Sequence, residues 1–321
     1  MTMQLNKTYL YTGIGLVAVA ALTAVLVFKA PAKPGVPGAD NGDSPTLAKP
    51  RALALDANGN IVIVDSKNNR LWVQKPSGEL VKKVGKLGTG EGQFREPCGV
   101  AVGKDGSVYV ADTFFTLDEK GGLPWGRVQK FSKDYKFKAV FAKPESGSTD
   151  LFGPRAIGVD PSGNVWLSDT GNHRLVKYDA DGKFMAAYGK KGKGKGEFVE
   201  PFGLAFDAQG NVYVADRLNY RIEVLNGAGQ FLREFKVAGW EDTQINVEPY
   251  LAIDNNRGFI YVSDPTKKKV HRYTLTGGNH KELTKFDGGG DFSQPTGLAV
   301  APDGTLLVTD GNLARLVTLK P

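Results

Sequence analysis

Between residues 153 and 189 the chain reads GPRAIGVDPSGNVWLSDTGNHRLVKYDADGKFMAAYG. Apolar residues run or alternate at strand length over 156–160, 165–168, 174–178 and 184–188. Turn residues separate them: Pro161, Ser162 and Gly163, then 169–173, then 180–182. Short runs of β-branched and aromatic residues bounded by Gly, Asn and Asp predict four antiparallel strands. Such a unit has two apolar faces and cannot bury both alone; repeated copies would cover one another.

The pattern recurs. A proline followed fifteen residues later by an aspartate occurs six times: Pro50 and Asp65, Pro97 and Asp112, Pro154 and Asp169, Pro201 and Asp216, Pro249 and Asp264, Pro295 and Asp310. A basic residue stands five beyond the aspartate in five copies, at Arg70, Arg174, Arg221, Lys269 and Arg315; in the second it is Arg127, displaced by an insertion over 114–126. Successive prolines are 47, 57, 47, 48 and 46 residues apart. Six four-stranded units at this period predict an all-β, six-bladed β-propeller over residues 50–321.

The repeat resembles the NHL repeat. The likeness rests on the P-x-G-h-A-h-D opening, the N-h-Y-V-A-D second strand, D-T-G-N-H-R-L at 169–175, and G-x-G-x-G-x-F-x-E-P at 192–201. It extends over roughly residues 50 to 321 and speaks for the fold; propellers of one architecture host enzymes, receptors and scaffolds, so it implies little about activity.

The last copy ends after its third strand, so the sixth blade is expected to lack an outer strand. The only segment on hand to close it is 44–48, which is short and contains Pro45. Either a three-stranded last blade or a weak closure by one bridge follows.

Ahead of the repeats the pattern changes. Residues 8–28 are uncharged and largely apolar, and twenty-one residues in a helix span about 30 Å, the thickness of a bilayer core. The run exceeds the apolar core of a secretory signal peptide, and Pro31 lies inside the small-residue site Ala30-Pro31-Ala32 that cleavage would use. The expected layout is a stub at 1–7, a transmembrane signal anchor at 8–28, a flexible Pro/Gly linker at 29–49, and the propeller. It places the propeller on the extracytoplasmic, periplasmic or extracellular, side of a membrane.

Composition narrows the chemistry. Lys+Arg of 41 against Asp+Glu of 34 gives +7, too modest for a dedicated nucleic-acid binder. Cys98 is the only cysteine, so no intrachain disulfide forms, and it lacks a nearby histidine to make it a nucleophile. An aspartate and a basic residue present in every copy read as a structural pair, since an enzyme needs one site. The glycine-rich runs 88–92 and 192–196 are not followed by a helix and read as interblade connections instead of phosphate loops. Asp179 to Gly182 starts like an EF-hand loop, but Lys190 stands where the closing glutamate belongs.

His173 is expected in the repeat's turn and His271 and His280 flanking a strand hairpin late in blade five; the three lie at different levels of different blades, without the convergence a three-His catalytic zinc site needs. Zinc lyases that cleave peptidyl hydroxyglycine share the implied fold, but their histidine pattern is not recognisable. Calcium-dependent lactonase-type propellers ring the channel with Glu, Asn and Asp; the residues after the six prolines are Arg51, Cys98, Arg155, Phe202, Tyr250 and Thr296, with no carboxylate. No catalytic residue, metal or cofactor is therefore assigned.

In an antiparallel meander the loops before the inner strand and after the second strand share a face. That face would gather Arg51, Arg155, Phe202 and Tyr250 at the channel mouth. Phe114, Phe115 and Trp125 from the insertion, Tyr220, and Trp240 would surround them. Exposed aromatics beside arginines have the composition of binding hot spots. The expected function is a membrane-tethered scaffold that binds a protein or peptide there. The alternative is a lyase- or hydrolase-type enzyme using the central channel.

Overall fold

The computed structural model describes residues 44–115, 124–142, 151–241 and 248–320, with the backbone alone at 114–115 and 124–125. It also describes two short strands, Leu10–Tyr11 and Leu16–Val17, which pair antiparallel. The segment expected to cross a membrane, 8–28, otherwise lies outside the described residues. Among those described, no helix is long and apolar enough to span a bilayer.

Six antiparallel sheets form the propeller. Their innermost strands are Pro50–Leu55, Pro97–Val102, Pro154–Val159, Pro201–Phe206, Leu251–Asp254 and Pro295–Val300. Each of the first five sheets meanders outward through four strands; the sixth has three. Innermost strands of consecutive blades pack on one another, and that of blade six packs on that of blade one, closing the ring. Thr296 Oγ1 donates to the Pro50 carbonyl at 3.0 Å across this seam.

The core lies between blades, as the two-faced unit requires. Val62, Val64 and Val73 of blade one meet Val100, Val110 and Phe131 of blade two. Cys98, Tyr109 and Val128 of blade two meet Ile157, Leu167 and Tyr178 of blade three.

The fifteen-residue spacing is a register. Pro50 lies opposite Asp65, Pro97 opposite Asp112, Pro154 opposite Asp169, Pro201 opposite Asp216 and Pro295 opposite Asp310. The aspartate accepts backbone N–H groups from the segment entering the blade: Ala48 on Asp65 at 2.7 Å, Arg95 on Asp112 at 2.9 Å, Phe152 on Asp169 at 2.7 Å, Val199 on Asp216 at 2.7 Å, Ser293 on Asp310 at 2.8 Å. It thereby satisfies donors that the strand ladder leaves over. A guanidinium holds the other side in four blades, at 2.7 Å for Arg70, 3.2 Å for Arg127, 2.8 Å for Arg174 and 2.9 Å for Arg221.

The entering segment also accepts a hydrogen bond from the turn after the second strand. Thr113 N donates to Glu96 O at 3.1 Å, Gly171 N to Phe152 O at 2.8 Å, and Leu218 N to Val199 O at 3.1 Å. The two sets of loops thus share one face. Residues 44–48 add no strand to blade six, although Leu47 packs against the apolar cluster shared by blades one and six, and they follow this rule in blade one, where the Thr46 carbonyl accepts from Arg70 Nη2 at 2.9 Å and Asn68 Nδ2 at 3.1 Å. Among the described residues the last blade is three-stranded.

Candidate functional site at the channel mouth

The inner strand begins at each repeat proline, so the residues on either side of that proline stand at the mouth of the channel. From the following positions come Arg51 and Arg155. From the preceding positions come Glu96 and Glu248. Arg51 Nη2 lies 3.0 Å from Glu96 Oε1, and its Nη1 lies 3.7 Å from Glu248 Oε1. Arg155 Nη1 lies 3.3 Å from both carboxylates. Burial works to raise the Glu248 carboxyl, but Arg51 and Arg155 outweigh it and hold the group below its ordinary value. A third pair, Arg217 and Glu200, extends the cluster, with the Arg217 guanidinium 5.2 Å from the centre of the Phe202 ring.

Tyr250 closes the opening. Its hydroxyl donates to the Cys98 carbonyl at 2.8 Å and lies 3.3 Å from Glu248 Oε2. Burial, then the Glu248 charge, push the phenol well above its ordinary pKa. The Cys98 thiol is fully buried, 3.2 Å from the Pro154 carbonyl and 3.4 Å from that of Ala111. Burial pushes it up to about 12, so it stays a protonated donor with no nucleophilic character at neutral pH.

The residues expected on this face separate into groups. Arg51, Arg155, Phe202 and Tyr250 converge at the mouth, but Phe202 and Tyr250 are buried. Trp240 is also buried, within the apolar cluster of Phe202, Tyr213, Ile222 and Val262 between blades four and five. These three rings are packing elements, contrary to the expectation of exposed hot spots, because a ring of wedge-shaped blades needs large side chains to fill the gaps between them. Tyr220 is half-buried beside Asn219, Lys236 and Glu234. Strands Val108–Phe115 and Pro124–Phe131 continue into the insertion with Phe114 opposite Trp125 and Phe115 opposite Pro124. The side chains of Phe114, Phe115 and Trp125 lie outside the described residues.

Two groups escaped the sequence reading. The mouth does hold carboxylates, correcting the absence inferred from the positions after the prolines; Glu96, Glu200 and Glu248 occupy the positions just before them. The signal was one column away in the same repeat alignment. The histidines also differ from expectation. His173 Nδ1 accepts the Glu200 N–H at 3.0 Å, joining blade three to the next entry segment. His271 and His280, expected to flank a strand hairpin in blade five without converging on one point, touch there: His271 Nδ1 lies 3.0 Å from His280 Nε2. Hairpin pairing brings the two outermost strands together there.

The glycine-rich runs are interblade connections. They turn carbonyls inward onto a repeat arginine: Arg127 Nη2 donates to Gln93 O at 2.7 Å, and Arg221 Nη2 to Glu197 O at 2.7 Å and Gly194 O at 2.9 Å. A loop that presents carbonyls is the electrostatic opposite of a phosphate cradle.

The NHL repeat family model matches residues 47–73 and 153–178, in blades one and three. The chain is a six-bladed propeller carrying NHL repeats. Among solved structures, a selenomethionine-substituted virginiamycin B lyase from Staphylococcus aureus aligns with a TM-score of 0.58 at 18% identity, covering 88% of this chain and 84% of the other. A glucose dehydrogenase aligns with a TM-score of 0.61 at 16% identity over 86% and 97%. A PQQ-bound aldose sugar dehydrogenase from Streptomyces coelicolor aligns with a TM-score of 0.57 at 12% identity over 88% and 95%. At these identities the likeness is one of fold. No curated protein matches the sequence.

Proposed function

We propose that the propeller is a membrane-tethered, extracytoplasmic binding module that holds a protein or peptide partner on its loop-rich face. The observation that carries this reading is that the charged and polar groups at the channel mouth are engaged with one another. Tyr250 is fixed to the Cys98 carbonyl, and Arg51 and Arg155 are shared between Glu96 and Glu248. A reaction there would have to begin by breaking this cluster. The surface left for recognition is the rim, where the 114–126 insertion makes blade two unlike its neighbours.

An enzyme of lyase or hydrolase type is the second reading. It is favoured by alignment over most of the chain with a virginiamycin B lyase and sugar dehydrogenases, and is weighed down by the engaged carboxylates.

The test uses full-length protein in native membranes. Replacing 114–126 by residues 171–173 of the blade-three turn, which restores the five-residue offset from Asp112 to Arg127, should leave the melting temperature and membrane attachment intact and abolish partner capture after detergent solubilisation. Capture with native affinity by the shortened protein would place recognition elsewhere. Retention through alkaline carbonate extraction is the expected behaviour of the tether; release in soluble form would remove the anchor from the proposal.

A further inference from the structure

Blade five departs from the repeat at Lys269, where four other blades use arginine to hold the repeat aspartate. The Lys269 ammonium turns outward to Glu282 Oε1 at 2.7 Å. Asp264 instead meets His271, with Oδ2 3.3 Å from His271 Nε2. His271 occupies the position filled in blades two and four by Gln129 and Glu223, which accept an N–H from a glycine-rich connection, Gly92 and Gly196 respectively. In blade five that side chain faces a second imidazole.

The third strand, Lys269–Thr274, and the outer strand, Lys281–Leu283, place His271 directly opposite Glu282. Asn279, at φ 49°, turns the chain so that His280 returns over the third strand. Its ring stacks on Tyr273 with centroids 4.7 Å apart and planes 14° apart. The ligand-type atoms of His271, His280 and Glu282 all lie within 4.8 Å of one another.

We infer that His271 Nδ1, His280 Nε2 and a carboxylate oxygen of Glu282 form a zinc site on the outer edge of blade five, away from the channel. The chemistry of the donor set supports it. Two imidazoles and a carboxylate are a zinc set with one position left for water. Zinc–nitrogen bonds of about 2.0–2.1 Å at a tetrahedral angle separate two nitrogens by about 3.3 Å; the pair here stands at 3.0 Å. Asp264 supplies the outer hydrogen bond that holds a ligating histidine in one tautomer: its carboxylate accepts from Nε2–H, which leaves the Nδ1 lone pair facing His280. His271 is buried and fixed, while His280 and Glu282 are exposed, so an ion can enter from solvent and Glu282 can turn from its partner Lys269 to the metal.

The test is zinc binding to the full chain in detergent, after chelation and dialysis, with zinc alone as the probe. The expected result is one zinc per chain, a higher melting temperature with zinc than with EDTA, and visible absorption bands of tetrahedral cobalt when cobalt replaces zinc. His280→Ala and Glu282→Gln change exposed side chains and should retain the fold by circular dichroism. His280→Ala should weaken zinc binding by on the order of 100-fold or more and abolish the cobalt bands; Glu282→Gln should weaken binding and shift the bands. Equal zinc affinity in wild type and His280→Ala, or cobalt bound without those bands, would overturn the site and leave a hydrogen-bonded histidine pair.

Discussion

Tyr250 of blade five reaches the Cys98 backbone carbonyl of blade two at 2.8 Å, joining blades three places apart in a ring of six. Most bonds between blades run between neighbours. This one crosses the channel, and with a residue separation of 152 it needs blades two to five to be in place.

Tyr250→Phe keeps the ring and removes the donor. The Cys98 carbonyl then faces an apolar edge, and the expected loss is about 1 kcal/mol, read as a lower midpoint in denaturant. An unchanged midpoint would mean that water replaces the hydroxyl and that the mouth is wetter than the packing indicates.

The repeat aspartate and its basic partner should differ in weight from blade to blade. Asp216 is fully buried, accepts the Val199 N–H and holds Arg221. Asp216→Ala orphans the buried Val199 N–H and removes one of the three carboxylates around the Arg221 guanidinium, and should cost about 3 kcal/mol. In blade six Asp310 accepts only N–H groups, from Ser293, Gln294 and Leu313, while Arg315 lies over Phe286 at 4.9 Å. Arg315→Ala should therefore cost at most about 1 kcal/mol. Thermal melts of the two variants decide it; equal losses would dissolve the distinction.

Glu223 should make stability fall as pH rises, opposite to the usual carboxylate. It is fully buried, and Arg221 beside it at 2.7 Å is shared with Asp216 and Glu234. Burial, with the nearby Asp216 and Glu234 charges adding to it, pushes its pKa up to about 7. Below the unfolded value, near 4.5, the proton is bound in both states. Between 4.5 and about 7 only the folded state holds it, so stability declines across that window and stays reduced above it. Gln129 fills the same position in blade two, accepting the Gly92 N–H at 2.8 Å and donating to the Gln93 carbonyl at 2.7 Å. Glu223→Gln should therefore raise the melting temperature at pH 8 by the equivalent of about 2–3 kcal/mol and change it little at pH 4.5. A less stable variant at pH 8 would show that the ion pair with Arg221 outweighs burial.

The fold is legible in the sequence because its main constraint is a covalently fixed count. Pro154 must face Asp169 for the carboxylate to meet the Phe152 N–H, so the spacing repeats wherever the blade does. The site is less legible because its groups belong to no single repeat. Glu96 and Glu248 act together only through Arg51 and Arg155, from other blades. The burial of Trp240 depends on how closely blade five approaches blade four. The His271–His280 contact depends on a turn whose direction Asn279 sets with a positive φ. Spacing along the chain carries none of these three facts.

Among the described residues blade six has no outer strand, so strand Arg315–Leu319 forms its edge. An unpaired third strand offers its backbone to other chains, and residues 44–48, engaged with Asp65 and Arg70, do not cover it. The connection from blade five does so in part. Asp287 N donates to the Thr318 carbonyl at 2.8 Å, its Oδ2 lies 3.2 Å from Thr318 Oγ1, and its Oδ1 accepts the Lys320 N–H at 3.2 Å. One residue thus supplies a donor and two acceptors to the end of strand Arg315–Leu319. Asp287→Ala keeps the backbone donor and removes both acceptors. The Lys320 amide should lose protection in hydrogen exchange, amides in the other five blades should not change, and the variant should associate more with rising concentration. Unaltered exchange at Lys320 would mean that solvent already satisfies this edge and that Asp287 does not guard it.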